Sequence, residues 1–308
     1  MSIDQLKSKG QFYFQILKTT VQRFSEREAF TYAASLSYYT IFSLPPMLMV
    51  IIYSTTVFYD RDAIRKTIFG EIAEIVGQDS AAQLATTLDQ IGLFQGSWVT
   101  SAVSIGALLF TSTTVFATIQ RALNRMYGVQ PKPEKAGLLK MLFDRLTSFA
   151  LLLSIGFILL VSLVIETLLD ALSGYLGRFI PEISLLITKV ASVALPIVVV
   201  SVLFTLLFRY LPDARLKWQD TIVGALLTTV LFGIGRYGIS FYIEQSQTTD
   251  LYDAASSVMV IMLWVFYASL ILLFGGIFTA VYAEKKRGKL KTTDYAVRVR
   301  YEKIEEEG

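Results

Sequence analysis

The chain has 308 residues, a formal net charge of +3 and a mean hydropathy of +0.54, with 54% hydrophobic and 17% charged residues, a balance outside the usual soluble range. It contains no cysteine and no histidine. That excludes a disulfide framework or thiolate metal site and removes the commonest general base near neutral pH. The length has room for several membrane spans and modest loops rather than a large soluble domain, which points to an all-α, polytopic membrane bundle.

Residues 1–28 read as an amphipathic, basic helix. Leu6, Tyr13, Leu17, Val21 and Phe24 recur at helical spacing, with Lys7, Lys9, Lys18, Arg23 and Arg27 between them. Two placements fit this pattern: a helix lying in the cytoplasmic interface, or one packed under the bundle. A mixed-charge segment before the first apolar run also gives no expectation of a cleavable signal peptide.

The membrane domain is expected over 29–284, with six spans near 29–58, 97–119, 146–169, 182–208, 221–243 and 258–283. The first is uncharged and holds Pro45 and Pro46, which cannot donate to the carbonyls of Ile41 and Phe42. A break is expected there, with the freed carbonyls satisfied by neighbouring helices, water or the hydroxyls of Thr40 and Ser43. Residues 60–95 read as an extracytoplasmic helical hairpin. Ile64, Ile68, Ile72 and Ile75 mark its first helix, and a Ser80–Gln83 capping box opens its second. The second span carries the hydroxyl run Thr111 to Thr114, more suited to close helix packing than to lining a path. Residues 285–308 form a charged tail, expected to be poorly ordered beyond its first turn.

An even number of spans leaves both termini on one side. That side carries five Lys and Arg in the N-terminal segment, six in 120–146, three in 209–220 and eight in the tail, or 22 of 28. The positive-inside rule then places both termini in the cytoplasm.

Ionisable residues inside spans point to sites, because a mid-bilayer charge costs about 2.5–3.5 kcal/mol and needs a partner or water. Arg236, Glu166, Asp170 and Lys189 all fall toward the outer half and could share one depth. They fit either a polar cavity, in which Arg236 holds an anionic head group, or ion pairs that tie helices together. Glu166 and Asp170, four residues apart, could also bind a cation or relay protons. Tyr38, Tyr39, Pro45 and Pro46 are candidates for lining a path, as are Thr111 and Thr113 in the minority reading of the hydroxyl run. No metal site, cofactor motif or nucleotide-binding motif is read in the chain.

Three stretches carry a resemblance: AASLSYYTIFSLPPMLMVII (Ala33–Ile52), ALNRMYG (Ala122–Gly128) and LPDARLKWQDTIVGAL (Leu211–Leu226). Together with the last apolar run they resemble the YihY/BrkB family of bacterial inner-membrane proteins, once labelled ribonuclease BN. The family's last helix usually reads Gly-Ala-Glu where this chain has Gly275, Gly276 and Ile277. Its preceding turn is commonly of a Tyr-Gly-Ser type where Tyr252, Asp253 and Ala254 stand here. The resemblance implies six spans and suggests a ribonuclease, a virulence factor, or a transporter or lipid-handling protein.

The residues weigh against the nuclease, since the cytoplasmic side offers Asp213 and Asp220 but no histidine, cysteine or folded RNA-binding domain. The expectation is a non-enzymatic, transport-type protein that handles a lipid, small amphiphile or ion, with membrane lipids as partners and no nucleic acid. The alternative is an envelope scaffold that docks proteins on hairpin 60–95. The topology is directly testable in this cysteine-free chain. A single Lys289→Cys variant should resist a membrane-impermeant maleimide in intact spheroplasts and react after permeabilisation; labelling before permeabilisation would invert every loop.

Overall fold

In the computed structural model, residues 3–55, 98–132, 181–245 and 253–299 are described as continuous stretches, with isolated positions between 66 and 86 and between 147 and 173. The amphipathic N-terminal segment and the long apolar runs become long helices: α1 (Ile3–Glu26), α2 (Ala29–Thr55), α3 (Trp98–Tyr127), α4 (Pro181–Tyr210), α5 (Trp218–Gln245) and α6 (Asp253–Arg287). Four short strands complete the described elements: β1 (Val129–Pro131), β2 (Ala214–Arg215), β3 (Lys291–Thr292) and β4 (Ala296–Arg298). By length and composition, three of the described helices can cross a membrane, over Thr188–Tyr210, Trp218–Gly235 and Ile261–Arg287. Helices α2 and α3 cover the first two spans expected from sequence. The third span and the hairpin 60–95 lie largely outside the described residues.

Two expectations change. Helix α2 continues through Pro45 and Pro46 as one element: a proline removes a hydrogen bond, but its fixed φ is compatible with helix, so the pair does not divide it. Ser43 Oγ donates to the Thr40 carbonyl at 2.7 Å, within the turn that precedes the prolines. The C-terminal segment is the second change. Residues 291–298 are folded rather than disordered, because β3 and β4 find edge partners: β1 pairs antiparallel with β4 and β2 with β3. The charges of this segment stay outside while its backbone is satisfied by the ladder.

The chain divides into two compact units. The first comprises residues 1–27, 120–231 and 272–308, and the second residues 28–119 and 232–271.

In the first unit, α5 and α6 interlock through two matching Gly-x-x-x-Thr segments, Gly224–Thr228 and Gly275–Thr279. A Cβ on Gly224 would stand 1.8 Å from Thr279 Oγ1, and one on Gly275 would stand 1.9 Å from Thr228 Oγ1. Each threonine thus fills the notch left by the other helix's glycine, the close approach that small residues permit between spans. Both hydroxyls donate to their own helix, Thr228 to the Gly224 carbonyl and Thr279 to the Gly275 carbonyl, each at 2.7 Å. Nearby, Ser201 Oγ donates to Thr229 Oγ1 at 3.0 Å.

In the second unit, Ala29, Ala33, Leu36 and Ser37 form the buried stripe of α2. Ser37 Oγ reaches the Met262 carbonyl of α6 at 2.6 Å. Phe232 meets Trp264 edge to face at 5.9 Å, and a Cβ on Gly235 would collide with the Tyr267 hydroxyl at 1.1 Å.

The interlock predicts that Gly275→Ala lowers stability by about 1–3 kcal/mol through overpacking. Adding Thr228→Ala, which removes Oγ1 and Cγ2, should restore part of that loss. Thermal unfolding of the detergent-solubilised protein reads both variants; equal stability of Gly275→Ala and wild type would show that the seam is looser than described.

Candidate functional site

The polar residues of the first unit concentrate where helices end. Helix α3 stops at Tyr127 because Gly128 takes a positive φ of 68°, and its N–H bonds the Arg125 carbonyl at 3.1 Å. Helix α6 stops in the same way at Gly288, with φ of 87° and a 2.8 Å bond to the Glu284 carbonyl. Glycine is the residue that closes helices in this conformation without strain. Arg27 adds a cationic cap: Nη1 donates to the Met126 carbonyl and, at 3.4 Å, to the Arg125 carbonyl. A positive charge suits a helix C-terminus, where the unsatisfied carbonyls gather.

Around these caps a network joins five elements. Asn124 of α3 donates through Nδ2 to Asp213 Oδ2 at 2.8 Å, and the Asp213 N–H returns a 2.7 Å bond to Asn124 Oδ1. The Asp213 carbonyl accepts from the Thr293 N–H at 3.1 Å, so one residue links α3, the 211–217 connection and the C-terminal strands. Tyr127 is fully buried and donates to the Phe208 carbonyl at 3.2 Å; burial pushes its phenol far above the ordinary value, which keeps the donor protonated. Glu284 of α6 accepts from Arg23 at 2.7 Å and from Arg298 of β4.

Asp220, in the first turn of α5, is only 1% exposed. Arg287 in the last turn of α6 meets Asp220 Oδ2 at 2.7 Å and Gln219 at 3.0 Å. Asp220 Oδ1 receives no hydrogen bond among the described residues, but Lys286 Nζ stands 3.8 Å away. The acid sits at a helix N-terminus and the cations at a C-terminus, so each charge also opposes the dipole at its own end. Arg209 closes the opposite edge. It donates to the Leu216 carbonyl and lies 4.6 Å from the Trp218 ring, a cation–π contact.

The residues singled out from sequence are placed as follows. Arg236 lies in α5, with its side chain outside the described set; Glu166 and Asp170 also fall outside it. Lys189 is exposed near the start of the apolar stretch of α4, where a long side chain can reach the interface. Thr111 and Thr113 lie in α3, and Pro45 and Pro46 in α2, with only the backbone described at these four positions. Tyr38 and Tyr39 are exposed on α2. Tyr38 contacts Tyr39 at 5.6 Å and Phe42 at 4.8 Å between ring centroids.

Comparison with known proteins sharpens this picture. Residues 20–298 match the sequence profile of the family described as virulence factor BrkB. The chain belongs to that family. Among curated relatives, the UPF0761 membrane protein of Rhodospirillum centenum is 28% identical over 281 residues, covering 89% of this chain and 59% of the relative. The UPF0761 protein of Saccharophagus degradans is 26% identical over 284 residues, covering 90% and 60%. That of Photobacterium profundum is 25% identical over 302 residues, covering 93% and 89%. The chain thus spans about 60% of the first two relatives and most of the third. None of these names states an activity, and no solved structure matches.

For this BrkB-family chain, the network was missed as a unit at the sequence level, although its parts were visible. Asn124 lies in ALNRMYG, while Asp213 and Asp220 lie in LPDARLKWQD, two of the stretches that carry the family resemblance. Their partners Glu284, Arg287 and Thr293 come from the last helix and the segment after it. Arg287→Gln should therefore lower stability by about 3 kcal/mol by leaving Asp220 buried without its partner. The double variant Asp220→Asn/Arg287→Gln should recover much of the loss. Additive losses in chemical or thermal unfolding would show that the pair is uncoupled.

Proposed function

We propose that this BrkB-family chain is a non-enzymatic, transport-type protein of the bacterial inner membrane that handles a lipid or small amphiphile, with both termini in the cytoplasm. The observation that carries the reading is the exposed Tyr38–Tyr39–Phe42 cluster. It lies on an uncharged helix immediately before Pro45 and Pro46. Rings that bear hydroxyls suit a molecule with an apolar body and a polar end. In the same unit, Arg236 of α5 is assigned the anionic head group by its charge and its place in a span. Membrane lipids are the partners that this chemistry calls for.

Two features of the first unit support placing the path in the second. The hydroxyls of Thr205, Thr228, Thr229 and Thr279 each donate to the carbonyl one turn earlier, so their protons are committed to packing. Asp213 and Asp220 are likewise engaged, by Asn124 and by Arg287. The envelope scaffold is the rival, and it assigns no role to the aromatic cluster.

Purified protein in liposomes containing a fluorescent phospholipid separates the two. Transport predicts that dithionite bleaches inner-leaflet label faster than in protein-free vesicles. Tyr38→Ala and Phe42→Ala should slow this about fivefold with unchanged melting, matching the ~1 kcal/mol that an aromatic contact contributes. Arg236→Gln should slow an anionic lipid more than a zwitterionic one. Bleaching no faster than in empty vesicles would sink the reading for phospholipids.

A further inference from the structure

Helix α1 has more apolar surface than the protein covers. Ile16 and Thr20 are fully buried, and Arg23 on the same face reaches Glu284 at 2.7 Å. Tyr13, Phe14, Leu17 and Val21, one register round the helix, are 52%, 68%, 46% and 56% exposed. The remaining face is polar, with Gln11, Gln15 and Gln22 exposed. A helix packed only against protein needs one apolar stripe, and a free amphipathic helix also shows one; α1 has two adjacent stripes that face different surroundings.

The place of α1 says what those second surroundings are. It contacts the C-terminal half of α6, from the middle of that helix's apolar stretch to its basic end: Phe24 meets Phe274 at 5.7 Å, Phe12 meets Tyr282 at 6.4 Å, and Lys285 Nζ lies 3.5 Å from Gln15 Oε1. The apolar stretch of α6 ends at Arg287. In the same unit, the apolar stretch of α4 ends at Tyr210 and that of α5 begins at Trp218. These two exposed rings contact each other at 6.0 Å, the aromatic pair expected at a membrane–water boundary. Exposed Lys18, Lys285, Lys286 and Lys289 supply positive charge at this end.

From this we propose that α1 lies in the membrane surface, with Tyr13, Phe14, Leu17 and Val21 inserted at the headgroup–acyl boundary of an anionic leaflet. Phe12, Arg23 and Phe24 hold it against α6. The buried face fixes the height of the helix, the exposed apolar stripe enters lipid, and the flanking lysines meet lipid phosphate. This anchoring does not depend on whether the protein transports anything.

The full chain has no native cysteine, so single spin labels can be placed without background. The variants Leu17→Cys and Val21→Cys test the stripe, and Gln11→Cys and Gln22→Cys serve as polar-face controls, in nanodiscs containing phosphatidylglycerol. Labels at 17 and 21 should collide more with oxygen and less with a water-soluble nickel chelate than labels at 11 and 22. Replacing the anionic lipid by phosphatidylcholine should shrink that difference. Nickel access at 17 and 21 equal to the controls would overturn the proposal by placing the stripe in water. Immobilised labels shielded from both reagents would overturn it in favour of a protein occupant, such as a second copy of this chain. Depth unchanged in phosphatidylcholine would overturn its anionic requirement.

Discussion

A helix that ends at a membrane boundary leaves up to four carbonyls without partners, next to a medium that offers little water. In this protein that constraint explains the arrangement of the first unit. Gly128 and Gly288 turn the backbone back onto the helix ends they follow, Arg27 caps the carbonyls of Arg125 and Met126, and β1–β4 and β2–β3 satisfy the strands leaving the bundle. Asp213 and Asp220 then join side-chain bonding to the same boundary. Asp213 joins α3 to the 291–298 segment and Glu284 joins α1 to β4, so displacing either frees partners in two elements at once. The N-terminal helix and the C-terminal segment, which composition alone marks as peripheral, are the pieces that close it.

Much of the helical architecture was legible because hydrophobic runs longer than a bilayer's thickness admit few alternatives. Continuous helices over 29–55, 98–127, 181–210, 218–245 and 253–287 follow from those runs. The strands were not legible. Two- and three-residue pairings such as Ala214–Arg215 with Lys291–Thr292 are set by neighbours brought together in space, not by period or propensity. Charge density in the tail read as disorder because compositional reasoning assigns charge to water, whereas Arg287 and Arg298 here serve buried or half-buried carboxylates.

The site was legible in a different sense. Charges inside spans drew attention to Arg236, Glu166, Asp170 and Lys189, a rule that weighs the cost of one charge in lipid. Among the described ion pairs, Arg23–Glu284, Lys286–Asp220 and Arg287–Asp220 instead join one helix end to another. A rule about single charges is blind to such pairs, because Asp220 and Arg287 are 67 residues apart. The family stretches were the better guide. Asn124 and Asp213 lie in separate stretches of that resemblance, and two reciprocal hydrogen bonds join them.

The hydroxyl groups carry the argument one step further. A threonine inside a span can hydrate a path only if its donor is available. In the first unit Thr205, Thr228, Thr229 and Thr279 commit theirs to the preceding turn, a local bond that competes with any passing ligand. The hydroxyl oxygens of Thr228 and Thr279 also lie in the notches of Gly275 and Gly224, so these polar atoms are enclosed where the two helices meet. Helices packed this way bury hydroxyls whose donors are already used within their own turns. Conduction between α5 and α6 would require the Gly224–Thr279 and Gly275–Thr228 pairs to separate together, which close packing resists. The second unit shows a different chemistry, with Tyr38, Tyr39 and Phe42 exposed and Ser37 bonded across to the Met262 carbonyl. Movement of an amphiphile along exposed rings needs no such separation, and that difference in mechanical cost is the physical ground for seeking activity in the second unit.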